Sequence, residues 1–170
     1  MTRSRGFTLP EALVALTVLL IGLNLAIPAF ANLIAAQYAS SALHSLRAAL
    51  NHTRETAALG GRPTSLIARD GDWAKGWTLI HDDNNDGQRQ PGETLLREHA
   101  ALPRVRIQAD RTSRDYIHYR PDGHSVQPNG AFHAGHLAIC SNHATGHRIL
   151  INRSGRIRTE SAPSATLCPP

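Results

Sequence analysis

Arg5-Gly6-Phe7-Thr8-Leu9-Pro10-Glu11 opens a run that stays apolar as far as Phe30. Between Phe7 and Phe30 the one ionisable side chain is Glu11. As a helix, this run spans roughly 36 Å, enough to cross a bilayer core of ~30 Å. A carboxylate near the start of such a run is costly in lipid unless a cation meets it, which marks Glu11 as functional. An ordinary secretory signal is built differently: its cleavage site follows the apolar region, and it lacks the acidic residue. Pro10 falls in the first helical turn, where a missing N–H costs little.

The Gly6-Phe7-Thr8-Leu9-x-Glu11 start resembles the class III signal of type IV pilins and pseudopilins. The resemblance implies that a prepilin peptidase cuts after Gly6 and methylates the new N-terminus, Phe7. Residues 1–6 are then a leader peptide, and 7–30 a transmembrane and assembly helix. Residues 31–59 continue that helix as an amphipathic half, and 60–170 form a β-rich globular domain. The resemblance further implies that Glu11 pairs with the N-terminal amine of a neighbouring subunit. It places the protein in the bacterial inner membrane with its domain in the periplasm, then in a pilus at the cell surface. Its partners there are other major and minor pilins.

The chain has 170 residues and a formal charge of +5, which falls to +3 when Arg3 and Arg5 leave with the leader. The charge is uneven: residues 7–98 carry seven basic and nine acidic side chains, residues 99–170 nine basic and four acidic. A basic C-terminal half suits an anionic partner. Cys140 and Cys168 are the two cysteines. In an exported domain they are expected to pair, stabilising by ~3 kcal/mol on the chain-entropy model.

Residues 8–59 read as one long helix. Gly22 and Pro28 are expected to loosen its apolar half, with Pro28 kinking or locally melting it. In the second half Leu33, Leu43, Leu46, Ala49, Leu50 and Ala57 recur at helical spacing, a stripe to pack under the domain. Gly60-Gly61-Arg62-Pro63 stops the helix. Eight short strands follow, at 64–69, 76–81, 94–99, 104–108, 115–120, 136–141, 148–152 and 156–159, separated by Gly, Pro, Asn and Asp clusters. Asn152-Arg153-Ser154-Gly155 reads as a tight turn, so Arg148–Thr159 is expected to be a β-hairpin. The expected fold is α+β: a long N-terminal helix on an antiparallel sheet domain. This layout resembles the FimT/GspH branch of minor pilins.

Asp82-Asp83-Asn84-Asn85-Asp86-Gly87-Gln88-Arg89-Gln90-Pro91-Gly92-Glu93 satisfies the D-x-N-x-D-G-x5-E calcium-loop pattern. Asp82, Asn84, Asp86, Gln88 and Glu93 are its candidate Ca2+ ligands. Flanking helices, which such a loop requires, are not expected here, and the competing reading is an Asx-rich turn between two strands.

Arg148, Arg153, Arg156 and Arg158 gather in the C-terminal hairpin. On a strand Arg156 and Arg158 share a face while Ile157 points to the core, and guanidinium groups suit phosphate oxygens. Gly155-Arg156-Ile157-Arg158 is similar to the GRxR DNA-binding motif of FimT-type minor pilins, which implies capture of DNA for natural transformation. The competing reading is a charged edge strand. Double-stranded DNA is the expected ligand, because aromatic platforms are scarce in the C-terminal half: Tyr116, Tyr119 and Phe132. Ten histidines include loosely ligand-like pairs, His133 with His136 and His143 with His147, but no third ligand joins them. No nucleophile–base arrangement is legible, so an enzyme is not expected. The alternative to DNA capture is a structural pseudopilin of a type II secretion system.

Overall fold

The computed structural model describes residues 8–141 and 145–168. Gly6, Phe7 and His143 lie outside them. The chain forms two compact units, one ending at Ile34 and one beginning at Ala35. Helix α1 runs from Leu9 to Gly60, with Glu11 in its first turn. Among the described residues it is the one helix long and apolar enough to cross a membrane.

In the first unit the apolar side chains from Leu9 to Phe30, apart from the half-buried Ala26, are exposed on every face of the helix. Two of its polar side chains are satisfied locally. Thr17 Oγ1 donates to the carbonyls of Leu13 and Val14, and Asn24 Nδ2 to that of Leu20. The expected melting at Pro28 does not occur, for α1 is continuous across it. A proline removes one N–H from the ladder, and the remaining bonds of a long apolar helix outweigh that single loss.

The second unit is built on the Ala35–Gly60 half of α1. Gly60 ends the helix, and Gly61 takes the left-handed conformation (φ 65°) that favours a glycine just past a helix end. Eight strands follow: β1 (Thr64–Ala68), β2 (Trp77–His81), β3 (Leu95–His99), β4 (Arg106–Ala109), β5 (Tyr116–Tyr119), β6 (Gly135–Cys140), β7 (Thr145–Ile151) and β8 (Ile157–Pro163). They form two four-stranded antiparallel sheets, ordered β3-β2-β1-β5 and β4-β6-β7-β8. Helix α2 (Ser164–Leu167) closes the described chain.

All eight expected strands exist, with shifted ends. The fourth begins at Arg106 rather than Arg104, because Arg104 adopts a positive φ of 60° and stacks over the Tyr38 ring at 5.4 Å. The C-terminal hairpin is longer than expected and pairs Thr145 with Pro163. Helix α2 was not foreseen: four residues ending in a half-apolar turn leave no periodic signal.

One core joins α1 to both sheets. Ala39, Ala42, Leu46, Leu50, Thr53 and Ala57 form the buried helix stripe. Against it lie Leu66, Trp77, Leu79, Ile117 and Tyr119 of the first sheet and Leu137, Ile139, Ile149 and Ile151 of the second. The expected stripe is displaced: Leu33 is exposed, and Leu43 and Ala49 are only partly buried. The centre falls instead on small side chains, which let the sheets approach the helix backbone. Thr53 is accommodated because its hydroxyl donates to the Ala49 carbonyl at 2.7 Å.

Gly155 seats the C-terminal hairpin. It has φ +71°, and a Cβ there would lie 2.3 Å from the Gly123 carbonyl oxygen and 3.0 Å from the Tyr119 ring. The same carbonyl accepts a 2.9 Å hydrogen bond from Arg54 Nε of α1. Helix, the Gly123 turn and the hairpin turn are thus in register through one oxygen atom. On the far face of the second sheet, the Cys140–Cys168 disulfide and Leu167 pack with Ala138 and Ala162. Gly146 leaves room for α2, since a Cβ there would meet Ser164 and Leu167.

Two measurements probe this core. His133 is buried with its Nε2 3.1 Å from the Ser113 hydroxyl, and burial pushes its pKa down to about 4. An unfolded histidine protonates near 6.5, so the unfolded state binds the extra proton and stability is lost as pH falls from 6.5 towards 4. Urea titrations of fragment 35–170 across that range are expected to show a decline on the order of 3 kcal/mol from this residue. His133→Gln removes that part of the slope. Gly155→Ala combines left-handed strain with a backbone clash and is expected to destabilise by ~2 kcal/mol or more. Gly130→Ala, at φ +79° with open space around it, is expected to lose only ~1 kcal/mol. Equal losses at the two glycines would contradict the seating role.

Candidate nucleic-acid interface

The hairpin turn is held by its own polar groups. Asn152 N–H donates to the Arg156 carbonyl, and Gly155 N–H to that of Asn152. Asn152 Oδ1 accepts from Ser154 N–H, the Ser154 hydroxyl and Arg156 N–H, at 3.0, 2.9 and 2.9 Å. The asparagine's side chain therefore fixes the loop from inside, leaving Arg153 and Arg156 exposed on its rim. Arg156 precedes β8 rather than lying in it.

Strand register fixes the faces. Ile149 pairs with Thr159 and Ile151 with Ile157 on the core side. Arg148 pairs with Glu160, and Leu150 with Arg158, on the opposite side. Arg156 and Arg158 thus share the outer face, as their spacing predicts. Arg158 is exposed but donates to Glu160 Oε1 at 2.8 Å. Arg148 is half-buried opposite the same glutamate, and among the described residues its buried Nε has no hydrogen-bond partner. Sequence spacing missed Glu160 as a member of the cluster. Its signal was the period of two along β8, which places Glu160 beside Arg158 on the same face.

The face is basic at the turn and partly neutralised further along. His136 pairs with Leu150 in the neighbouring strand and lies 3.9 Å from Asp110. Beyond Ala138 the disulfide and α2 cover the sheet, so the open part of the face is bounded on one side by the tethered tail.

Of the three aromatic residues in the C-terminal half, Tyr119 is fully buried. The Tyr116 hydroxyl donates to the Asn85 carbonyl. Phe132 is half exposed and lies under Arg153, whose Cζ is 5.8 Å from the ring centroid.

The acidic loop joins β2 to β3, so strands flank it rather than helices. It folds over the far face of the first sheet, where Gly87 (φ 68°) lies against the Tyr116 ring too closely for any Cβ. Its carboxylates accept hydrogen bonds from the loop and the sheet. Asp82 accepts from Asp86 and Gly87 N–H, Asp86 from Asn84 Nδ2, Gln88 N–H and Gln90 Nε2, and Glu93 from Gln90 N–H. Gln88 is exposed. Among the described residues no group of three or more His, Cys, Asp or Glu side chains is arranged to hold a metal ion.

Asp82 anchors the loop from inside. It is fully buried and takes a 2.5 Å hydrogen bond from the Ser65 hydroxyl, which is 2.9 Å from His118 Nδ1. His118 Nδ1 is 3.5 Å from Asp82. Burial alone would raise the Asp82 pKa, but the hydrogen bonds to His118, Ser65 and Gly87 and the His118 charge lower it below the usual carboxylate value. A Ser, a His and an Asp are therefore brought together, which their sequence positions did not suggest. The wiring differs from that of a nucleophile. Ser65 has one hydrogen and donates it to the carboxylate, leaving it none for an imidazole base to abstract.

A crystal structure of the type IV minor pilin FimU from Pseudomonas aeruginosa is 26% identical, covers 76% of this chain and 92% of that one, and has a TM-score of 0.58. A second crystal form of FimU gives 26%, 74%, 94% and 0.55. The minor pseudopilin EpsH of the Vibrio cholerae type 2 secretion system shares the fold, at 12% identity, a TM-score of 0.51, and coverage of 72% and 96%. Among curated proteins the chain has no match. The prokaryotic N-terminal methylation motif matches residues 1–23, where Gly6, Phe7 and Glu11 lie. With the profile described as type II transport protein GspH matching residues 42–155, most of the chain, the protein belongs to the GspH family of pilin-like proteins.

Proposed function

We propose that this protein is a FimT-type minor pilin that binds DNA through its C-terminal hairpin and delivers it for uptake in natural transformation. The observation that carries the reading is the pair of exposed guanidinium groups, Arg156 and Arg158, on one face of a hairpin that Gly155 locks into the domain. Arg153 extends the cluster at the turn, and Arg148 supports it from the neighbouring strand. Such groups contact phosphate oxygens and read little sequence, so double-stranded DNA is bound through its backbone. The remaining sites belong to the same proposal. A prepilin peptidase cuts after Gly6 and methylates Phe7. Glu11 meets the N-terminal amine of a neighbouring pilin. The domain sits in the periplasm and then on the pilus, and the Cys140–Cys168 bridge forms there.

One observation favours the second reading, a structural pseudopilin without DNA. Glu160 neutralises Arg158 and faces Arg148. Against it stands the likeness to a type IV minor pilin, FimU, at the higher identity.

Fluorescence anisotropy with a blunt duplex and fragment 35–170 separates the two. Binding is expected to weaken as salt rises, by ~0.9 in log–log slope per phosphate contacted, and to vanish in Arg156→Gln/Arg158→Gln with the fold intact. No binding by the wild type at low salt would support the pseudopilin. Glu160→Gln frees Arg158 and removes one negative charge from the face. It is expected to raise duplex affinity several-fold at low salt and to steepen the salt slope. An unchanged or lower affinity would show that the Glu160 contact leaves the arginines available.

A further inference from the structure

Among the described residues from Ala35 onward, the large apolar side chains that stay exposed are Leu59, Leu96 and Phe132. Leu59 lies in the last turn of α1 and Leu96 on the edge strand β3. Phe132 is different, because a guanidinium group and an imidazole ring approach it. Arg153 lies over it, with Cζ 5.8 Å from the centroid, and the His124 ring is 6.3 Å away, tilted by 43°. The three residues come from separate places in the chain and meet beside the hairpin turn.

The backbone under Phe132 is fixed. Val126 and Phe132 form an antiparallel bridge, Gln127 N–H donates to the Ala131 carbonyl at 2.8 Å, and Gln127 Nε2 to the Phe132 carbonyl at 3.1 Å. His133 N–H then donates to the Ser125 carbonyl at 2.9 Å. The backbone that carries the ring is therefore held in place while half of the side chain faces water. An apolar ring beside the Arg153 guanidinium, in the turn that leads to Arg156 and Arg158, matches the parts list of a stacking site: a π-face for a base and cations for the flanking phosphates. Bases inside a duplex keep their faces stacked on one another and offer nothing to such a ring.

We propose that Phe132 and Arg153 form a receptor for one unpaired nucleotide. Its base stacks at the Phe132 ring while Arg156 and Arg158 hold adjacent backbone phosphates. This rests on the hairpin being the DNA site and extends it: the preferred ligand is a DNA end or gap carrying an unpaired base, rather than uninterrupted duplex.

The test uses fragment 35–170, which holds the complete core, and three probes at one salt concentration. They are a blunt duplex, the same duplex with short single-stranded overhangs, and the overhang probe with abasic residues in place of its unpaired bases. The overhang is expected to bind roughly fivefold or more tighter than the blunt duplex, in line with the worth of one stacked base. The abasic version falls back to the blunt value. Phe132→Leu, checked for an unchanged melting temperature, erases the overhang preference and leaves blunt-duplex affinity alone, whereas Phe132→Trp keeps the preference. Equal affinity for the three probes, or a preference that survives Phe132→Leu, overturns the inference while leaving DNA capture in place. Failure to bind any of the probes overturns both.

Discussion

Two four-stranded sheets share one helix as the partner for their apolar faces, and that constraint organises the domain. The stripe from Ala39 to Ala57 serves both sheets at once, and alanine occupies three of its positions, Ala39, Ala42 and Ala57. A helix with large residues at Ala39, Ala42 and Ala57 would hold the sheets apart, and close packing tolerates such overfilling poorly. The same helix supplies Arg54, whose hydrogen bond to the Gly123 carbonyl extends the apolar packing into a polar clamp.

That clamp links fold to function. The oxygen held by Arg54 is the one against which Gly155 rests, so the arginine-bearing turn is referenced to α1 through two contacts. For the proposed DNA site, a turn fixed in this way has less backbone conformational entropy to lose on binding. The electrostatics are set along β8 by alternation. Arg156, Arg158 and Glu160 share the outer face, and the glutamate tempers the cationic field at the end nearer the disulfide-tied tail. The result is a face whose positive end is the turn, next to the Phe132 ring.

The long helix, the glycine stop, the eight strands and the hairpin were legible in the sequence, because each is written in local patterns: an apolar run, Gly-Gly-Arg-Pro, alternating short segments, and Asn152–Gly155. Strand order was not, since pairing depends on contacts far apart in sequence. The displaced helix stripe shows a second limit, for alanines and a threonine carry little hydrophobic signal even when they sit at the centre of a core. At the site, the arginines were visible from spacing, whereas Glu160 as their counter-ion and Phe132 beneath Arg153 required the register and the loop packing. The Asp82 loop matched a calcium pattern by residue type. In the fold Asp82 is turned inward to Ser65, His118 and two backbone N–H groups, a placement that residue identities alone do not reveal.

The most direct test of the central claim is to map where DNA touches the domain, by following backbone amide NMR shifts of fragment 35–170 as a short duplex is added. The account predicts that the shifts cluster at Arg153, Arg156 and Arg158 and fade across β6 towards the disulfide. Shifts centred on Arg104, Arg111 and Arg114 would contradict it by moving the contact to another site, and shifts spread evenly over every basic residue would contradict it by assigning binding to net charge.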